Sequence, residues 1–77
     1  MKKVQIYGTG CPKCQALTAN VEAAARELDL EIEVDKVTEI RDIAAAGVLM
    51  TPGLAIDGEI KSTGHLLSVH QIRKLLE

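Results

Sequence analysis

Residues 8–15 read GTGCPKCQ, a segment in which two glycines precede two cysteines and a proline follows the first cysteine. Proline is favoured at the first position of a helix, because the N–H that it lacks would have no partner there. Pro12 therefore predicts that a helix begins here, with Cys11 as the N-cap residue and Cys14 as the third helical residue. The two thiols are placed one turn apart at the start of the same helix.

The two cysteines have different environments in this arrangement. An N-cap side chain accepts hydrogen bonds from backbone N–H groups, and the helix dipole adds about half a positive charge at that end. Together with the Lys13 ammonium, these effects predict a pKa for Cys11 below the ordinary thiol value of about 8.5, and we expect Cys11 to be the nucleophile. Cys14 lies on an apolar stripe with Leu17 and Val21. We expect it to point inward and to attack a mixed disulfide formed at Cys11.

Apolar periodicity around this segment predicts a strand, a helix and a second strand. Residues 2–7 alternate, with Val4 and Ile6 on one side. From Pro12 the apolar residues recur at helical spacing; they are Cys14, Leu17, Val21, Ala24, Ala25 and Leu28. Residues 31–37 are rich in β-branched side chains and predict the second strand. Two strands joined by a helix are parallel, with a right-handed crossover.

A short helix is predicted next, at residues 38–46. Thr38 is expected to cap it and Gly47 to end it. The residues expected to face inward are Ile40, Ile43 and Ala44.

A hairpin and a final helix complete the chain. The dipeptide Asp57-Gly58 suits the two-residue type I′ turn of a hairpin, and Ser68 with Gln71 forms a capping box that opens the last helix. We therefore expect residues 1–77 to form one α/β domain of order βαβαββα. Its four-stranded mixed sheet should carry helices on both faces.

Composition excludes several kinds of partner. The 77 residues include nine basic and eleven acidic side chains, a net charge of -2, and Tyr7 is the only aromatic residue. Such a chain has neither a basic stripe for phosphates nor an aromatic platform for bases, so nucleic acid is not expected. Residues 1–10 lack the apolar stretch of a signal peptide, and no segment has the roughly 18 apolar residues of a membrane span. We expect a cytoplasmic monomer with no membrane partner and no cofactor.

A second motif, Met50-Thr51-Pro52, lies just before the hairpin. With it, the chain as a whole resembles the thioredoxin superfamily, and in particular the small glutaredoxin-like thioredoxins of minimal fold. The segments that carry the resemblance are YGTGCPKC, MTPGLAIDGEI and the closing helix. The resemblance implies that Cys11 attacks and Cys14 resolves, and that the Thr51-Pro52 bond is cis. It also implies that Thr51 offers backbone groups to a peptide while Pro52 shields the sulfurs.

The chain departs from its larger relatives at several positions. Gly10 stands where ordinary thioredoxins carry tryptophan, and Lys13 stands where they carry proline; we expect both residues to contact substrate together with Thr51 and Pro52. Residues 62–68, STGHLLS, lack the Gly-Gly and aspartate with which glutaredoxins hold glutathione. The buried acidic residue of thioredoxins has no counterpart in VQIY, residues 4–7, although Gln5 is a polar neighbour. No residue is therefore assigned to proton transfer.

These observations predict a dithiol–disulfide oxidoreductase that reduces protein disulfides and is itself reduced by an electron donor resembling thioredoxin reductase. The alternative is a carrier of Cu(I), Hg(II) or an arsenical, with Cys11 and Cys14 as soft ligands. His65 and His70 are distant in sequence and are expected to be solvated, so no zinc shell is predicted. The order of elements favours the redox function, because small metallochaperones run strand, helix, strand, strand, helix, strand.

Overall fold

The elements of the chain follow one another as β1, α1, β2, α2, β3, β4 and α3 in a computed structural model that describes all residues 1–77. This order and the α/β fold class confirm the prediction. The bounds are β1 Lys2–Tyr7, α1 Pro12–Glu27, β2 Ile32–Val37, α2 Ile40–Ala45, β3 Gly53–Ile56, β4 Glu59–Thr63 and α3 Val69–Leu76. None of the three helices combines the length and the hydropathy that crossing a membrane requires.

The four strands form one mixed sheet in the order β2-β1-β3-β4. Strands β1 and β2 are parallel, whereas β3 is antiparallel to both β1 and β4. Asp57 and Gly58 connect β3 to β4 with φ values of 51° and 86°. Both angles lie in the left-handed region that a type I′ turn requires, as the Asp-Gly pair predicts.

The core lies on both faces of the sheet. On one face, α1 and α3 cover a cluster of nine buried residues that includes Val4, Ile6, Leu17 and Ile72. On the other face, Ile43 of α2 joins Tyr7, Val48 and Ala55 in a smaller cluster of four buried residues. Side chains of β1 point alternately into the two clusters. Helix α1, which begins at the two cysteines, packs against one face of the sheet only.

The prediction for α2 is wrong in three respects. The helix begins at Ile40 after Glu39, which makes no side-chain capping bond, so Thr38 is not its cap. Ile40 is 73% exposed and Ala44 is also exposed, which leaves Ile43 as the buried residue of the helix. The reason is size: a helix of six residues lies over a cluster of four buried residues, which accommodates a single side chain from α2.

The predictions for the end of α2, the start of α3 and the start of β2 agree with the structure more closely than the prediction for the start of α2. Gly47 has φ of 84°, and its N–H donates to the carbonyl of Ala44, so glycine ends α2 as predicted. The capping box of α3 is complete, with Gln71 N–H donating to Ser68 Oγ at 3.1 Å and Ser68 N–H donating to Gln71 Oε1 at 2.9 Å. Strand β2 starts at Ile32, one residue later than predicted.

Candidate active site

The two cysteines lie at the N-terminus of α1 and are joined by a disulfide bond, with their Cα atoms 5.1 Å apart. Cys11 has the extended backbone of an N-cap residue, with φ of -64° and ψ of 162°, and Pro12 is the first helical residue. The predicted helix register is therefore confirmed, with Cys14 as the third helical residue.

The two sulfurs differ in hydrogen bonding and in exposure. The backbone N–H of Cys14 donates to Cys11 Sγ at 3.3 Å, as expected of an N-cap side chain. Cys11 is half-buried, whereas Cys14 is only 5% exposed and belongs to the buried face of α1. A molecule that approaches from solvent therefore reaches Cys11 first.

Two side-chain hydrogen bonds hold the backbone around the disulfide. Gln15 Nε2 donates to the carbonyl of Gly10 at 2.9 Å. Thr18 Oγ1 donates to the carbonyl of Cys14 at 3.0 Å and is itself buried. The first bond joins α1 to the residue that precedes Cys11, and the second lies within α1 one turn after Cys14.

Gly8 is a site residue that sequence reasoning did not identify. A Cβ added to it would overlap Cys14 Sγ, would lie 3.2 Å from Cys14 Cβ and would lie 3.9 Å from Thr51 Cβ. Gly8 thus leaves the space that the buried sulfur occupies, and the same space adjoins Thr51. The glycine preceding the motif was the available signal, but its contact with Cys14 depends on how α1 packs against β1.

The Met50-Thr51-Pro52 segment approaches the buried cysteine through Thr51, whose Cβ borders the same space beside Gly8 as Cys14 Sγ. The Thr51-Pro52 peptide bond is cis. Thr51 is exposed, Pro52 is almost completely buried, and the carbonyl of Pro52 accepts a hydrogen bond from Gly64 N–H at 2.8 Å. The segment is therefore held to the loop after β4 while Thr51 remains accessible.

Gly10 and Lys13 are the other two residues predicted to contact substrate, and both are exposed. Gly10 precedes Cys11, and Lys13 lies between the two cysteines. Gly10 has φ of 92°, a value in the left-handed region that favours glycine. Sequence reasoning did not assign Leu49 or Met50, which are 92% and 66% exposed next to Thr51. These two side chains form an exposed apolar pair in the segment that precedes Pro52.

The histidines are not part of the site. His65 and His70 are both exposed, as predicted. No group of three or more histidine, cysteine, aspartate or glutamate side chains is arranged to hold a metal ion. The thiols that could bind a soft metal are thus the same two that form the disulfide.

Comparison with known proteins agrees with this fold. The family model described as a thioredoxin domain matches residues 2–77. A protein named thioredoxin from Methanothermobacter thermautotrophicus is 46% identical over 76 residues, which cover 99% of each chain. Another protein named thioredoxin, from Methanocaldococcus jannaschii, is 42% identical over 77 residues, which cover all of this chain and 88% of that protein.

The chain therefore belongs to the thioredoxin superfamily. Membership and the Cys11–Cys14 disulfide define its general activity as thiol–disulfide oxidoreduction, and the substrates of such proteins are disulfides.

Proposed function

We propose that this protein is a protein disulfide reductase in which Cys11 attacks the substrate and Cys14 resolves the mixed disulfide. The observation that carries the proposal is the asymmetry of the two sulfurs. Cys11 is half-buried and its Sγ accepts a backbone hydrogen bond, whereas Cys14 is 5% exposed. A nucleophile has to be reached by its substrate, while a resolving thiol only has to reach the nucleophile.

The reaction proceeds in two exchanges. The thiolate of Cys11 attacks one sulfur of a substrate disulfide, forms a mixed disulfide and releases the other substrate sulfur as a thiolate. Cys14 then attacks Cys11 Sγ, so the Cys11–Cys14 bond forms and the second substrate sulfur leaves. The substrate gains two electrons, and the protein dithiol becomes the disulfide.

The residues around Cys11 support a polypeptide as the substrate. Thr51, Gly10 and Lys13 are all exposed, so a polypeptide could reach each of these residues. In this proposal the protein acts as a cytoplasmic monomer, where reducing conditions keep dithiols available. An electron donor of the thioredoxin reductase kind returns Cys11 and Cys14 to the dithiol state.

The alternative, carriage of Cu(I), Hg(II) or an arsenical, uses the same two sulfurs, and one pair of measurements separates the functions. The first measures how catalytic amounts of the protein accelerate the reduction of insulin by dithiothreitol. The second measures Cu(I) affinity under anaerobic conditions by competition with a chromogenic chelator. The fully alkylated protein serves as the control in both.

We expect clear acceleration of insulin reduction, loss of that acceleration in Cys11→Ser, and Cu(I) binding no tighter than that of a small dithiol. No acceleration over the alkylated protein, together with Cu(I) binding far tighter than that of dithiothreitol, would reject the reductase in favour of the carrier.

A further inference from the structure

Met50 lies against the backbone of Gly64, in the loop that follows β4. A Cβ added to Gly64 would lie 3.1 Å from Met50 Cβ, 3.4 Å from Met50 Cε and 3.6 Å from Met50 Sδ. The thioether therefore borders the space that the missing side chain of Gly64 leaves. Met50 is nevertheless 66% exposed, so molecules in solvent reach its side chain.

This contact adjoins the hydrogen bond that holds the segment before β3. Gly64 N–H donates to the carbonyl of Pro52 at 2.8 Å. Met50 and Pro52 both contact Gly64, and Thr51 lies between them in the chain. Thr51 Cβ in turn borders the space that Cys14 Sγ occupies. A chemical change at Met50 therefore acts on a segment that reaches the buried sulfur.

The chain contains two methionines, and they differ in their distance from the disulfide. An exposed thioether is open to oxidation, and the sulfoxide that forms is polar where the methionine was flexible and apolar. Met1 is 87% exposed, but it precedes β1, whereas the cysteines follow β1. The strand has six residues, which span roughly 20 Å. Met50 is thus the methionine whose oxidation changes the surroundings of the dithiol.

We propose that Met50 is a site of oxidation by hydroperoxides, and that its sulfoxide slows disulfide exchange at the dithiol. One oxygen atom passes from the hydroperoxide to Met50 Sδ. The sulfur loses two electrons, and the hydroperoxide is reduced to water or to an alcohol. The cysteines take no part in this step. The effect on exchange rests on the proposed function, whereas the oxidation itself does not.

The sulfoxide acts through its polarity. In the contact with Gly64 no hydrogen-bond donor is recorded for Met50, and a polar group that has no such partner is more stable in water. The oxidised side chain should therefore leave Gly64. It also breaks the exposed apolar pair that Met50 forms with Leu49, next to Thr51, which is expected to contact the substrate. Both changes affect the segment that a polypeptide would meet and leave the cysteines unaltered.

The test starts from the protein in its disulfide form, because paired sulfurs lack the thiolate that peroxide oxidises. The protein is treated with hydrogen peroxide, the peroxide is removed with catalase, and mass spectrometry of its peptides locates the added oxygen. Insulin reduction by dithiothreitol is then followed with the treated and the untreated protein. We expect the acceleration to fall about threefold after treatment. Methionine sulfoxide reductases should restore it, since they do not act on overoxidised cysteine.

Met50→Leu is the matched control. Leucine keeps an apolar side chain of similar volume and leaves Met1 as the single methionine. Peroxide should therefore leave the acceleration by Met50→Leu unchanged relative to the same variant before treatment. The amide resonance of Gly64, followed by NMR, provides a readout that needs no disulfide substrate. It should shift when Met50 is oxidised and should not shift when Met50→Leu is treated.

Complete oxidation of Met50 without loss of acceleration, or an equal loss in Met50→Leu, overturns the proposal. The same holds if Met50 stays unmodified under conditions that oxidise Met1. An untreated protein that fails to accelerate insulin reduction would instead reject the proposed function. In that case the added oxygen and the Gly64 resonance still decide whether Met50 is oxidised and whether its oxidation alters this segment.

Discussion

The backbone N–H of Cys14 donates a hydrogen bond to Cys11 Sγ over 3.3 Å. In the proposed mechanism Cys14 contributes to both steps of exchange, because its amide would stabilise negative charge on the sulfur of Cys11 and its own sulfur lies one turn away. The bond lies within the N-terminus of α1 and involves no other molecule.

The first prediction concerns the order in which the reduced thiols react. Cys11 should be alkylated at a lower pH than Cys14, because the N-cap hydrogen bond and the helix dipole stabilise its thiolate and lower its pKa. Alkylation with iodoacetamide at a series of pH values, followed by mass spectrometry of the two modified cysteines, measures the order. Equal rates for both thiols, or faster reaction at Cys14, would contradict the assignment of the nucleophile.

A second prediction concerns the space at Gly8. Gly8→Ala should lower the free energy of unfolding of the oxidised protein by about 1–3 kcal/mol, because the new methyl group overlaps Cys14 Sγ and the core around it is tightly packed. Urea unfolding gives the value, and Thr9→Ala, at the exposed neighbouring position, is the control. If the two variants unfold alike, Gly8 does not set the position of the buried sulfur.

A third prediction compares two isoleucines of α2. Ile43→Ala should lower the free energy of unfolding by about 2–5 kcal/mol, since the side chain is 5% exposed in the smaller core cluster. Ile40→Ala removes the same atoms from a side chain that is 73% exposed, and it should change stability by less than about 0.5 kcal/mol. Urea unfolding of both variants checks the pair. A comparable loss in Ile40→Ala would show that α2 packs through both residues.

The fourth prediction concerns the capping box of α3. Ser68→Ala should lower the free energy of unfolding by about 1 kcal/mol, because Gln71 N–H no longer has its side-chain acceptor. For a domain of this size the melting temperature should fall by about 4–8 °C. Ser68→Thr retains the acceptor and should melt close to the unchanged protein. Equal loss in both variants would mean that the cap hydrogen bond is not what Ser68 contributes.

Features whose interactions are local in sequence could be predicted. Cys11 is an N-cap because Pro12 follows it, and Ser68 pairs with Gln71 three residues later. The order of strands and helices followed in the same way from the spacing of apolar residues. For these features, both residues that interact lie in the same short segment, so the pattern of that segment is enough to predict them.

Features that depend on packing between distant segments could not be predicted. Gly8 matters because α1 places Cys14 against β1. The prediction for Ile40 was wrong because the spacing of apolar residues does not reveal how small the cluster beneath α2 is. In each case the environment of the residue depends on how two distant segments pack, which the sequence of one segment does not reveal.

The most direct test of the central claim is covalent trapping on a defined substrate. Reduced Cys14→Ser and Cys11→Ser proteins are each incubated with insulin, quenched with acid and analysed by mass spectrometry without reductant. If Cys11 attacks and Cys14 resolves, Cys14→Ser accumulates an insulin mixed disulfide that dithiothreitol releases, and Cys11→Ser forms none. Equal trapping by both variants, or trapping by Cys11→Ser alone, would contradict the division of roles between the two cysteines.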